Sequence, residues 1–253
     1  MKTMFRFKWQ VFAYFLFLAV VSCQSHTSYG YFPVTAKQVA KMTSAEAKAY
    51  LYNSYGIKDK RYEHYLAKAF KYNNPVADVS LLLKAGADPN AIINKANGIT
   101  LAHMACHGAW GNHHRGLYVL QVLKDYGADF NKTSNLGHTP LHYAVQNRYE
   151  EACEYLLETC NVDTEIKNNA GFTPLLWGAY RAWNHGDDDG RIKNIVRMLI
   201  NHGADIHATA YDGKVNILNF YIDRGDDEFV SYLRQLGVKH LDFKKIGSLI
   251  LST

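Results

Sequence analysis

The 253-residue sequence has no apolar run long enough to cross a bilayer. Its longest largely apolar stretch, Val11–Val21, is eleven residues, against about 20 for a helix spanning ~30 Å of hydrocarbon. Clustered basic charge is also missing: the formal net charge is +5, and without Lys2, Arg6 and Lys8 it is +2. A balance that small gives no reason to invoke nucleic acid, which needs a concentrated basic face. There is no nucleophile elbow, phosphate loop or dinucleotide fingerprint, so the usual marks of catalysis are absent. Cysteines number four. With Cys23 set aside, Cys106, Cys153 and Cys160 leave an odd count. Cys153 and Cys160 are seven positions apart, about 10.5 Å along one helix, which is beyond disulfide reach unless the helix end bends. Cys106 and Cys153 read as small buried hydrophobes, with a bridge between them left open. Tyrosine, at 18 residues, supplies contact area at low entropic cost and suits an adhesive surface.

What the sequence does contain is repetition. Gly137-His138-Thr139-Pro140-Leu141-His142-Tyr143-Ala144 is nearly repeated as Gly171-Phe172-Thr173-Pro174-Leu175-Leu176-Trp177-Gly178, with a worn copy at Gly98-Ile99-Thr100-Leu101-Ala102-His103-Met104-Ala105. Between the copies falls Gly-Ala-Asp, at residues 86–88, 127–129 and 203–205. Two alternating signatures mark a repeat array. The first unit reads as a helix from Tyr62 to Lys71 and a second from Ala77 to Ala85, with Pro75 breaking the first and Gly86 closing the second. Thr139 can cap a helix, Pro140 fits its first turn, and Leu141 and Ala144 face neighbouring helices. These motifs resemble ankyrin repeats, whose unit of about 33 residues carries T-P-L-H-x-A at the start of its first helix. The resemblance spans Tyr62 to Val238. It implies an all-α solenoid of about five helix-turn-helix units with short hairpin loops, and it casts His142 as a hydrogen-bonding link between units.

The expected units are 62–94, 95–134, 135–168, 169–209 and 210–238. Before them, Thr43-Ser44-Ala45-Glu46 has the form of a capping box and predicts a capping helix within 43–61. In the third unit, Cys160 falls where the glycine of Gly-Ala-Asp is due. The fifth unit is degenerate, Val215-Asn216-Ile217-Leu218 replacing the signature, and reads as a C-terminal cap. Residues 239–253 form a tail whose apolar residues, from Leu241 to Leu251, could fold back on the last unit.

The amino terminus carries its own signal. The basic start and apolar run have the form of a signal peptide, residues 1–22. Val20-Val21-Ser22-Cys23 resembles the lipobox of bacterial lipoproteins, which implies lipidation of Cys23, a tether over 23–42, and a place in the cell envelope facing the periplasm. Gln24 rather than aspartate after the cysteine implies the outer membrane by the same resemblance. An ordinary cleaved secretory signal, or an uncleaved anchor, is the alternative.

Against the third unit as ruler, the second and fourth are too long. Gly137 to Cys160 spans 23 positions, Gly98 to Gly127 spans 29 and Gly171 to Gly203 spans 32. The additions echo one another: Trp110 and Trp183 each fall twelve positions after their unit's glycine, inside Ala109-Trp110-Gly111-Asn112-His113 and Ala182-Trp183-Asn184-His185-Gly186. Equivalent insertions in alternate repeats emerge on one edge of a solenoid. Two readings stand: a partner-binding surface of paired loops formed by Trp110, His113, His114, Arg115, Trp183, His185 and Arg191, or a duplicated longer turn in which each tryptophan lids the core.

His103 and His107, four apart with His113 and His114 near, suggest a metal, but no cysteine or carboxylate completes the set at a known spacing. Asp187-Asp188-Asp189-Gly190 does not fit an EF-hand and reads as a solvated turn. The sequence therefore leads to a lipid-anchored, non-catalytic protein that binds another protein, as a monomer, with no cofactor, no metal and no nucleic acid. An immunity or inhibitor protein that occludes a toxin is its narrower form. A secreted effector acting on a host protein and a metal-binding or redox envelope protein are the rivals.

Overall fold

The computed structural model describes residues 34–58, 62–69, 75–107, 113–187 and 189–241. The signal peptide, Cys23 and the tail beyond residue 241 lie outside them, as does Trp110. Five helix pairs follow one another: α3 (Tyr62–Ala69) and α4 (Pro75–Lys84), α5 (Leu101–Cys106) and α6 (His113–Asp125), α7 (Pro140–Gln146) and α8 (Glu150–Thr159), α9 (Pro174–His185) and α10 (Arg191–Asn201), α11 (Ile217–Arg224) and α12 (Asp227–Gln235). Short antiparallel pairings close two of the connections, β1 (Ile92–Asn94) with β2 (Ile99–Thr100) and β3 (Thr209–Ala210) with β4 (Val215–Asn216). First helices α5, α7, α9 and α11 pack side by side as one layer, and α4, α6, α8 and α10 form the layer behind. The expected all-α solenoid is the fold. One continuous core runs through it, from Leu66, Leu81 and Leu82 through Leu120, Leu141, Leu156, Leu175 and Leu199 to Phe220 and Leu233.

Several boundaries differ from the sequence expectation for definable reasons. Pro75 does not merely end the first helix; it opens α4, where its missing N–H is no loss. The segment expected as a tether contains α1 (Ala36–Lys41), capped by Thr35 and anchored by buried Val39, and α2 (Ser44–Tyr55) follows with the expected Thr43–Glu46 capping box. In unit three the left-handed residue after the second helix is Asn161 (φ 49°), while Cys160 keeps a right-handed conformation. Asparagine is the residue that best replaces glycine there, so this unit's helix is one residue longer than the glycine count implies.

The hairpins are joined edge to edge by a ladder of short side chains. Asp88, Asp129, Asp163 and Asp205 each fold the chain by accepting the N–H two residues on, at Asn90, Asn131, Glu165 and His207, all at 2.8 Å. That second residue accepts the N–H of the next unit's aspartate: Asn90 from Asp129 (2.7 Å), Asn131 from Asp163 (2.8 Å) and Glu165 from Asp205 (2.9 Å). Closer to the core, a histidine crosses each of two junctions. Thr139 N–H and Oγ1 contact His142 Nδ1 at 3.2 and 2.9 Å, and His142 Nε2 meets the Phe172 carbonyl of the following unit at 3.0 Å. Thr100, His103 and the His138 carbonyl repeat the arrangement one junction earlier, at 2.8 and 3.0 Å. Because the carbonyl can only accept, Nε2 carries the proton and Nδ1 accepts from threonine, which defines a neutral imidazole.

Both rings are fully buried. Burial pulls the pKa of His103 down to about 4 and that of His142 down to about 3. Above pH 6.5, the ordinary histidine value, neither the folded nor the unfolded chain is protonated at these sites and they add no pH dependence. Below it the unfolded chain takes up protons that the folded chain cannot, so stability falls with pH until the folded-state values are reached.

Two predictions follow from this packing. Gly137 (φ +74°) lies under the next hairpin, where a Cβ would stand 2.5 Å from Asn169 Oδ1 and 2.7 Å from its backbone nitrogen, whereas Gly213 (φ +81°) faces open space. Gly213→Ala is expected to cost about 1–2 kcal/mol for the left-handed conformation alone, and Gly137→Ala clearly more, as read from urea midpoints at pH 7. Between pH 6.5 and 4 the stability of the native chain should fall by up to about 1.4 kcal/mol per pH unit per histidine. His142→Leu, a side chain that unit four already carries as Leu176, should lower stability at pH 7 yet flatten that acid slope. An unchanged slope in urea titrations would refute the assignment.

Candidate protein-binding surface

The fourth unit departs most from its neighbours. Leu176 stands at its histidine position, and a leucine cannot reach a carbonyl, so the polar link is replaced at the junction with unit five. Trp183 Nε1 donates to Asp223 Oδ2 at 2.7 Å, and Arg224 donates to the Ala182 carbonyl. Rings fill the rest: Phe172 contacts Trp177, Tyr180, Tyr211 and Phe220, with centroids 5.3–6.2 Å apart. The link resumes in unit five with asparagines. Asn216 caps α11 as a threonine does elsewhere, and Asn219 Nδ2 donates to the Leu241 carbonyl at 2.9 Å.

The added residues of unit four do not form the expected loop at Trp183. They lengthen the first helix, α9, to 12 residues against 7 in α7, about 7.5 Å of extra length. Trp183 is therefore a helical residue, half-buried against Tyr180 and Phe220. A side chain that finds both a ring to stack on and an acceptor for its N–H stabilises a continued helix over a turn. In unit two α5 is described over 6 residues and α6 over 13, and the residues between them, 108–112, lie outside the described ones. His113 and His114 open α6, and Arg115 in its first turn is part-exposed.

Beyond Trp183, α9 projects Asn184 and His185 into solvent. Arg191 is exposed and pairs with Asp189 at 3.5 Å. The aspartate run is not simply solvated: buried Asp187 accepts the N–H groups of Ile192 and Lys193, both at 2.9 Å, and so caps α10. Cys106, Cys153 and Cys160 are free, the first two fully buried, and burial pushes the Cys106 thiol well above its ordinary pKa. His103 has both ring nitrogens engaged, and no three metal-ligating side chains converge among the described residues. No helix among those residues is long and apolar enough to cross a membrane.

Residues that sequence reasoning passed over complete the surface. Trp177 and Tyr180 stack at 5.3 Å, and Trp177 leans on His138 at 4.8 Å, so a row of rings runs across units three to five. Arg148, in the turn between α7 and α8, has a left-handed backbone (φ 56°) and reaches the end of α9, donating to the Gly186 carbonyl at 2.8 Å. Arg181 lies part-buried midway along α9. The spacing of Trp177, Arg181 and His185, every fourth residue of a helix, is the signal that could have identified this face.

Comparison with known proteins agrees with this architecture. A family model for ankyrin repeats in three copies matches residues 63–166 and 113–210, more than half of the chain. The B-cell lymphoma 3 protein homolog of Mus musculus is 32% identical over 139 residues, covering 53% of this chain and 27% of that protein. A palmitoyltransferase of Lachancea kluyveri is 29% identical over 136 residues, 54% of this chain and 17% of that protein. The neurogenic locus notch homolog protein 2 of Homo sapiens is 34% identical over 92 residues, 36% of this chain and 3% of that protein. The chain thus spans no more than about a quarter of these relatives. What they share with it is the repeat, a module that is generally non-catalytic and binds other proteins. The chain belongs to the ankyrin-repeat family.

Proposed function

We propose that this chain binds a protein partner through the exposed face of its first-helix layer, with the lengthened helix α9 as the principal contact. The observation that carries the reading is the extension of α9, which places Asn184 and His185 beyond the end reached by α7. Trp183 supports that extension from beneath, and Arg191 sits beside it on α10. Arg115, His113, His114 and Trp110 belong to the corresponding insertion of unit two and are assigned to the same surface. No step of chemistry is assigned to the chain.

Trp183→Ala would be a poor test, because the side chain packs on unit five and its loss is expected to cost about 2–4 kcal/mol of stability whatever it binds. A photo-crosslinking residue at exposed Asn184 is the sharper probe. It should yield an adduct with a cellular protein, while the same residue at exposed Glu154 on α8 should not. Equal labelling from both positions would remove the assignment to this face. In the same cells, His185→Ala with Arg191→Glu should weaken capture of that partner at least tenfold.

We further propose that the chain is held at a membrane of the cell envelope through lipid on Cys23. This is supported by Lys2, Arg6 and Lys8 ahead of the apolar run Val11–Val21 and by Val20-Val21-Ser22-Cys23. Radiolabelled palmitate should enter the wild-type protein and not Cys23→Ala, and the variant should move from the membrane to the soluble fraction.

A further inference from the structure

Three units offer a residue about eight positions after the cap of the first helix: Asn147 just past α7 in unit three, Arg181 in unit four and Arg224 in unit five. Asn147 Nδ2 donates to the Tyr143 carbonyl at 2.7 Å and to Cys106 at 3.4 Å, and Arg224 donates to the Ala182 carbonyl. Among the described residues Arg181 alone has no acceptor, and none of their carboxylates acts on it. It is nonetheless part-buried, and a guanidinium taken partly out of water without an anion is costly. Burial and the nearby Arg148 charge both depress its pKa. Arg148 is held in place by Gly186 and shares Asp189, at 3.5 Å, with Arg191. Among the described residues one carboxylate is thus divided between two arginines, and the third has none. His185, whose pKa is lowered by burial and then by Arg181 and Arg148, lies in the same cluster.

We infer that this face of α9, from Trp177 through Arg181 to His185, seats an acidic, extended segment of the protein partner. Its carboxylate pairs with Arg181 and Arg148, and a neighbouring aromatic or apolar side chain packs on the Trp177–Tyr180 stack. Eight positions of helix are about 12 Å long, which matches about four residues of extended peptide. A planar guanidinium favours a carboxylate through paired parallel hydrogen bonds. The inference rests on the protein-binding reading above and adds the chemistry of what is bound.

The test uses the full-length folded chain and two fluorescein-labelled hexapeptides, one alternating glutamate with phenylalanine and one alternating lysine with phenylalanine. The acidic peptide should bind with an affinity that falls as salt rises, and the lysine peptide at least tenfold more weakly. Arg181→Gln should weaken the acidic peptide about tenfold. Arg148→Gly should weaken it too, yet without lowering the thermal midpoint, because glycine relieves the left-handed backbone; a merely structural arginine would not separate the two readouts. Equal binding of both peptides, no binding of the acidic one at millimolar concentration, unaltered binding by folded Arg181→Gln, or preference for a labelled oligothymidylate would each overturn the inference. Failure of the protein-binding reading looks different: wild type then captures no partner at all. If only this inference fails, wild type and Arg181→Gln retain the same partner equally.

Discussion

The stack depends on a buried hydrogen bond between one unit's imidazole and the next unit's carbonyl. A helix pair of this size cannot bury its own apolar face, so each unit is stable only in register with its neighbours. Apolar contact supplies most of that stability but little of the register, since leucine against leucine tolerates small slides. A neutral histidine fixed at Nδ1 by its own helix cap and at Nε2 by a carbonyl does not tolerate them. Threonine, proline, leucine and histidine therefore work as one device: the first two start the helix, the third enters the core, and the last aims at the following hairpin.

That device also explains which parts of the structure were legible in the sequence. His103 and His142 carry it with recognisable neighbours, and the order and number of units followed from them. In unit five the same two roles are filled by Asn216 and Asn219, which share the geometry but not the spelling, so the unit read as merely degenerate. Asn161 taking the left-handed position beside Cys160 is a similar exchange, made legible only by backbone angles. The start of α4 at Pro75 and the short helix α1 were missed because proline reads both as a stop and as a first-turn residue, and six residues with one buried valine leave little periodicity to detect.

The candidate surface was legible in part. Counting residues located the excess in units two and four, but a count cannot distinguish a loop from a longer helix. Trp183 decided the matter through contacts with Phe220 and Asp223, some 40 positions away in the chain. Trp183 and its neighbours therefore do two jobs. They replace the histidine link that Leu176 cannot make, and they hold the end of α9 clear of the layer. Arg148 and Arg181 went unnoticed because each is ordinary in its own helix or turn; only the fold brings them together.

The extra turn and a half of α9 has a consequence for how any bound chain is placed. A stack of near-identical units is almost symmetric under a shift of one repeat, and a ligand lying across it could settle in several equivalent seats. A single helix that overhangs its neighbours ends that equivalence. It acts as a stop along the axis, giving the surface a fixed origin and a direction.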